Sequence, residues 1–560
     1  MVISEENLRE LVVKNKLADE NQLDNLVAYA KSSEISLTEV LIERDIVSDE
    51  QLGLMIADFL KIPFVVLSKV EISEEAFHII PEKIARKYKI IAFARDKDTV
   101  KLAMADPNNA EIIDMIAKKT GQKILPHYAT ERDISNTLRI YRKDLQDVLE
   151  SLLKGTNMLH PGTGAEVPLS KIVDLIITQA YEERTSDVHI EAQEKNSIVR
   201  YRIDGILHDV LVLPKNLHEQ VISRIKVLSR LRTDEHLSPQ DGKMRLKLDE
   251  ENLDIRVSIL PMVDGEKAVL RLLASKQRQL SLVDLGITEH DLQKITNAFT
   301  KSFGMILSTG PTGSGKTTSI YSILKIINTR EKNITTIEDP VEYRMKGVNQ
   351  IQVNIKTNLT FAAGLRSILR QDPNIIFVGE IRDGETAGIA VNAALTGHLV
   401  LSTLHTNDAA TTLPRLTDMK IEPFLVASTV NVIVGQRLVR KICDMCKSSI
   451  ITKKDELLKN ISVTMIKKYF ENKEDIRLYK GKGCKICHFT GYQGRIGIFE
   501  VLQVSETIRK LIAEKNTADV ISKKAIEEGM TTMFEDGLGK IAKGMTTIEE
   551  VLRVTKVETL

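Results

Sequence analysis

The stretch that most restricts what this chain can fold into runs Gly310, Pro311, Thr312, Gly313, Ser314, Gly315, Lys316, Thr317, Thr318. An apolar run at residues 305–308 precedes it, and a helical pattern from 317 to 327 follows. A glycine-rich loop between a strand and a helix lets backbone N–H groups turn inward on an anion, and the helix N-terminus adds partial positive charge. The spacing fits the phosphate-binding pattern G-x-x-x-x-G-K-[ST]. Lys316 is then placed to reach the β- and γ-phosphates of a nucleotide, and the Thr317 hydroxyl to bind Mg²⁺. Residues 310–318 are expected to hold ATP.

Neighbouring strands predict the rest of such a site. Residues 334–337, 375–378 and 399–404 are mostly apolar rather than alternating, as strands buried on both faces are, which implies a parallel sheet covered by helices. Glu338 and Asp339 end one strand. Glu380 ends another, with Gly379 standing where an Asp is usual. Glu380 is the candidate for polarising water, with Glu338 or Asp339 sharing the acidic work. His405 follows a further strand, at the carboxyl end where open α/β sheets place ligands.

The four cysteines form two C-x-x-C pairs, Cys443/Cys446 and Cys484/Cys487. Two such knuckles make a tetrahedral S₄ set suited to Zn²⁺, and with no ligand position open the metal is expected to be structural. Their separation implies a helical insertion between them.

Residues 1–60 carry an internal repeat, since Leu8, Leu11, Val12, Leu17, Gln22 and Leu23 match Leu37, Val40, Leu41, Ile46, Gln51 and Leu52 at an offset of 29. Helical spacing and the N-cap candidates Asp19 and Ser48 predict two packed helix–turn–helix units. Residues 61–145 read as a small α/β lobe. Gly155, Pro161, Gly162 and Gly164 mark residues 146–165 as linker. Residues 166–285 form a second α/β domain with an Asp204-Gly205 hairpin turn. The phosphate-loop domain is placed at 286–505, with the cysteine subdomain at 440–497, and C-terminal helices at 506–560.

Basic and acidic residues nearly cancel, 78 against 77, and aromatics make up 4%, which argues against a nucleic-acid groove. The N-terminal residues lack a signal-peptide pattern and no run is long and apolar enough to span a bilayer, so the expectation is a cytoplasmic chain that meets a membrane through a partner.

Together, Gly-Pro-Thr-Gly-Ser-Gly-Lys-Thr-Thr, Ile-Glu-Asp-Pro-Val-Glu, Val-Gly-Glu-Ile-Arg-Asp, Thr-Gly-His-Leu-Val-Leu-Ser-Thr-Leu-His-Thr-Asn and the paired C-x-x-C resemble the secretion ATPases of type II secretion and type IV pilus assembly. The resemblance implies a RecA-like ATPase core, an Asp box with Glu338, Asp339 and Glu342, catalytic Glu380, and a His box with His398 and His405. It also implies arginines that reach phosphates: Arg256 and Arg271 in the second domain, and Arg366, Arg370 and Arg382 beside the Glu380 strand. Relatives are homohexamers that drive an inner-membrane platform protein pushing pilin subunits into a filament. The tetracysteine and long N-terminal region are similar to assembly or secretion motors rather than retraction motors, and a nucleic-acid translocase is the rival of a different class. Some relatives bind cyclic di-GMP in the N-terminal repeat through Arg-Leu-Gly segments. Here Asn7, Ser36, Lys16 and Asp45 stand at the corresponding places, so dinucleotide binding is not expected.

Overall fold

The computed structural model describes residues 3–33, 36–43, 46–70, 72, 74–138, 145–154, 168–248, 252–273, 281–470 and 474–555. The chain divides into two units, residues 139–279 and the remainder on either side.

In the larger unit the repeat folds as helices Glu5–Lys14, Glu20–Ser33, Leu37–Glu43 and Asp49–Leu60. The matched residues Leu8 and Leu37, Val12 and Leu41, and Leu23 and Leu52 are all buried in one core. Asp19 accepts from the Gln22 amide at 2.7 Å, and Ser48 forms a full capping box with Gln51. The lobe that follows is a three-stranded sheet of Ile90–Arg95, Thr99–Met104 and Lys123–Tyr128.

A seven-stranded sheet dominates this unit. Its strands are β1 (Gly304–Thr309), β2 (Ile334–Glu338), β3 (Val348–Gln352), β4 (Ile375–Val378), β5 (Leu399–Leu404), β6 (Val430–Ile442) and β7 (Tyr492–Gln503). The order is β3-β2-β4-β5-β1-β6-β7, parallel throughout except for the β6–β7 pair. Every residue of β1, β2, β4 and β5 is buried. Helices α1 (Lys316–Ile327), α2 (Phe361–Ile368), α3 (Gly384–Leu395) and α4 (Thr412–Asp418) connect these strands. A parallel order needs such crossovers, and the C-termini of β1–β6 lie at one edge, with antiparallel β7 ending at the other. Leu282 already packs in this core, ahead of the boundary expected at 286.

Between the cysteine pairs the expected helical insertion, Lys454–Leu458 and Val463–Tyr469, is flanked by an antiparallel ribbon of Lys447–Lys453 with Asp475–Gly481. The C-terminal helices divide their allegiance. Ile508, Ile512, Ile521 and Ala525 join the main core, whereas Met533, Leu538, Ile541 and Val551 pack with the cysteine subdomain.

The smaller unit is a six-stranded antiparallel sheet with the helices Leu169–Glu182 and Lys215–Leu228 in its core. Asp204 and Gly205, both at positive φ, close the predicted hairpin. Two features correct the expectations. Residues 145–153 are helical, not linker, because Leu145, Leu149 and Leu153 fall on one face and join this core. The rest of that linker, 155–165, with its glycines and Pro161, lies outside the described residues. The strand Gln240–Lys247 has only Met244 buried, so its pattern carries little apolar signal.

Glu550 ties the C-terminal helix to β6. Its carboxylate accepts from the Arg440 side chain at 2.6 Å, the Arg440 amide at 2.9 Å and Arg553 at 2.8 Å, and Glu550 is 2% exposed. Burial pushes its pKa up, but the two guanidiniums and the amide outweigh burial and hold it at about 2. Stability from this group is therefore complete above the ordinary glutamate range and lost as pH falls toward 2. Glu550→Gln should cost about 3 kcal/mol at neutral pH, since it removes the buried carboxylate charge that Arg440 and Arg553 share. The cost should shrink as pH falls toward 2, where the native carboxyl is about half protonated. Denaturant unfolding of both proteins across this range checks it.

Candidate nucleotide site and cysteine cluster

The loop after β1 curls tightly. Gly310, Gly313 and Gly315 have φ of 145°, 79° and 90°, backbone that favours glycine. A Cβ on Gly310 would lie 2.4 Å from the carbonyl oxygen of Gln436 on β6. Gln436, 1% exposed, donates to the Ser314 carbonyl at 2.7 Å and so pins the loop to the sheet. The buried Ser314 hydroxyl has no hydrogen-bond partner, an unsatisfied donor within a cradle of backbone amides. Lys316 opens α1 and donates to the carbonyls of Gly310 and Pro311 at 2.7 and 3.1 Å. Burial lowers its pKa, and Glu380 acts in the opposite direction. An anionic ligand offers that ammonium a stronger partner than neutral carbonyls. Thr317 and Thr318 follow in the first turn of α1, half-buried, and Pro311 and Thr312 form the exposed crest. The residues present fit a polyphosphate with its metal at Thr317.

Gly379 lies flush against β2: a Cβ there would sit 3.2 Å from the Ile337 carbonyl oxygen and from the Glu338 Cα. A side chain there would crowd the β2 backbone by a few tenths of an ångström, and the acid comes one residue later. Glu380 accepts from Arg382 at 2.7 Å and lies 3.3 Å from His405 Nε2. Its side chain is 12% exposed. Lys316, Glu380 and His405 thus gather at the strand C-termini.

Glu338 does not join them in the open. Tyr321 of α1, Thr336 and Gln350 all donate to its carboxylate, Thr336 at 2.6 Å and Gln350 at 3.3 Å, and Glu338 is 2% exposed. Burial raises its pKa against these neutral donors. Asp339 next to it is exposed and Glu342 is half-buried. His398 immediately precedes β5 and bonds the Ala393 carbonyl at 3.0 Å. It is a whole strand away from His405, about 23 Å at 3.3 Å per residue. Arg366 pairs with Glu385, and Arg370, in the turn after α2, bonds back to Arg366 and Ser367. In the smaller unit Arg256 and Arg271 are register partners on adjacent strands, and Arg271 donates to Asp187 at 2.9 Å.

Three residues here escaped the sequence reading: Gln436, Tyr321 and Glu500. Glu500 interrupts the apolar stretch Ile496–Leu502, a signal that was legible, whereas Gln436 shares β6 with Asn431, Arg437 and Arg440 and does not stand out. Glu500 accepts from the Ala409 amide at 2.6 Å beneath the loop that follows β5, and burial pushes its pKa up to about 7.

The four cysteine sulfurs lie within 4.8 Å of one another, with pairs at 3.9, 3.9 and 3.7 Å. A tetrahedron of Zn–S bonds near 2.3 Å has edges of about 3.8 Å. The amides of Gly483, Cys484 and Gly491 point at Sγ atoms at 3.2–3.3 Å, as they do at thiolates. The expected content is one Zn²⁺ per chain, lost in Cys443→Ser or Cys484→Ser. Elemental analysis checks this, and a zinc-free native protein or a Cys443–Cys446 disulfide contradicts it.

Comparison with known proteins follows the same lines. The chain is 36% identical to the type IV pilus assembly ATPase PilB of Myxococcus xanthus, over 97% of this chain and 98% of that one. It is 42% identical to the type II secretion system protein E of Dickeya dadantii, over 76% of this chain and 82% of the other. The Yersinia pseudotuberculosis ATPase DotB shares the fold, with a TM-score of 0.51 at 20% identity over 69% of this chain and 93% of that one. An MshEN domain matches residues 60–147, over the α/β lobe. The type II/IV secretion system protein model matches residues 163–553, which include the phosphate loop, Glu380 and all four cysteines, and the chain belongs to that family.

Proposed function

We infer that this chain is a Mg²⁺-dependent ATPase that powers assembly of pilin or pseudopilin subunits through an inner-membrane platform protein. It works as a homohexamer on the cytoplasmic side and is held at the membrane by its partner. The observation that carries the reading is the meeting of Lys316, Glu380 and His405 at one sheet edge, in a chain collinear with a pilus assembly ATPase. No helix among the described residues is long and apolar enough to cross a membrane, in keeping with a partner as the anchor.

In the proposed reaction the loop amides and Lys316 hold the phosphates. Mg²⁺ at Thr317 would supply charge neutralisation of the β- and γ-oxygens. Glu380 accepts a proton from water, whose oxygen bonds to the γ-phosphorus while the bridging oxygen leaves with its electron pair on ADP. Arg382 and His405 hold the Glu380 carboxylate in position, and His405 senses the γ-phosphate. Glu338 supports the site through Tyr321 of α1 rather than touching water. Arg256 and Arg271 are the arginines of the smaller unit that the family resemblance assigns to phosphate. Zn²⁺ on Cys443, Cys446, Cys484 and Cys487 is structural. The tetracysteine favours an assembly or secretion motor over a retraction motor.

Residues 1–145 dock the motor to its membrane partner and do not take cyclic di-GMP. Arg9, the guanidinium nearest the expected position in the first repeat, is committed to Asp24. Lys16 occupies a left-handed position, φ 56°, where glycine is the natural choice. Asp45, its counterpart in the second repeat, lies outside the described residues. Guanine stacking and phosphate pairing need a planar guanidinium that Lys16 lacks.

Lys316→Ala should abolish ATP turnover while the fold survives, and near-normal turnover in the purified variant contradicts the site assignment. Titration calorimetry of the full chain with cyclic di-GMP should register no binding. Micromolar or tighter binding overturns the docking-only reading.

A further inference from the structure

A cleft of about 340 Å³ opens beside the Glu380 edge, lined by Ile381, Arg382, Leu404, His405, Arg415 and Met419. Two of these residues, Arg382 and His405, are the groups that hold the Glu380 carboxylate. The third cation, Arg415, projects from α4 and is exposed, and no carboxylate among the described residues pairs with it. Leu404 and Ile381, at 0% and 2% exposure, form an apolar floor. Two guanidiniums over an apolar floor suit a small tetrahedral oxyanion, because guanidinium forks pair with phosphate oxygens and a poorly hydrated wall strengthens the attraction.

We propose that this cleft is the exit site for inorganic phosphate, with Arg415 as its free anion receptor. The inference rests on the hydrolysis reading above. When ATP is cleaved, the water oxygen ends on phosphorus and the water proton on Glu380. A neutral Glu380 no longer competes for the Arg382 guanidinium. Arg382 then turns to the only new anion beside it, and together with Arg415 draws the phosphate from the loop into the cleft. Once phosphate leaves, the Glu380 proton is lost to solvent and the Glu380–Arg382 pair reforms. Departure of phosphate ahead of ADP would leave the phosphate loop holding diphosphate alone.

Equilibrium dialysis of radiolabelled inorganic phosphate against the full chain is the direct test. It is done in a Lys316→Ala background to weaken the loop's own phosphate site. That protein should bind phosphate. Adding Arg415→Ala should weaken binding by about tenfold or more, the scale of losing hydrogen bonds from a charged donor, and Arg415→Lys should restore part of it. No phosphate binding in the Lys316→Ala protein, or binding indifferent to Arg415→Ala, overturns the proposal. A second readout separates it from the hydrolysis reading. In the otherwise native chain, Arg415→Ala should raise the phosphate concentration that half-inhibits turnover by a similar factor and leave inhibition by ADP little changed. Equal weakening of both contradicts an exit site, whereas a native chain that turns over no ATP contradicts the hydrolysis reading and leaves the dialysis result to decide the cleft.

Discussion

The contact on which the site depends is the crossing of the Gly310 backbone over the Gln436 carbonyl. No side chain fits between them, and Gln436 then grips the loop a second time through the Ser314 carbonyl. A loop held at both ends by the neighbouring strand keeps its amides convergent and aims Lys316 inward. Preorganised donors of this kind need no rearrangement when charge develops on phosphate. The same logic governs Gly379. Its lack of a side chain lets β4 end against β2 and moves the acid to Glu380, where Arg382 and His405 can hold it.

The acids at the sheet edge divide by environment rather than by type. Glu338 and Glu380 end adjacent strands, yet one is sealed among neutral donors and the other pairs with an exposed arginine and lies beside a half-exposed histidine. Desolvation without a cation raises the pKa of Glu338 and suits it to fixing Tyr321 and hence α1. Far from this edge, the long β6–β7 hairpin carries the cysteine cluster outward, and the C-terminal helices close over it through Arg440 and Glu550.

Much of this was legible in the sequence because each signal was local. The strand–loop–helix pattern needs only its own glycines and Lys316, and the cysteine knuckles only their spacing. The all-apolar strands correctly implied a parallel sheet. What escaped depends on partners remote in sequence. Leu145, Leu149 and Leu153 read as the edge of a linker until a sheet that forms later in the chain supplies their core. Gln240–Lys247 pairs only along one side and keeps a polar face, so its periodicity is faint. Glu338 read as a second open acid beside Glu380 because the residues that seal it, Tyr321 and Gln350, lie on other elements. His398 and His405 share a motif, yet a strand places them at opposite edges of the sheet.

Glu380 as the base and Glu338 as a buried support are told apart by single-turnover hydrolysis of prebound Mg·ATP. Glu380→Gln should slow the chemical step by at least about a hundredfold while nucleotide still binds, the lower range for losing a general base. Glu338→Gln keeps its neighbours' hydrogen bonds only in part, and its chemical step should stay within about tenfold of the native rate. The reverse order, with Glu338→Gln the slower protein or Glu380→Gln failing to bind nucleotide, would contradict the assignment.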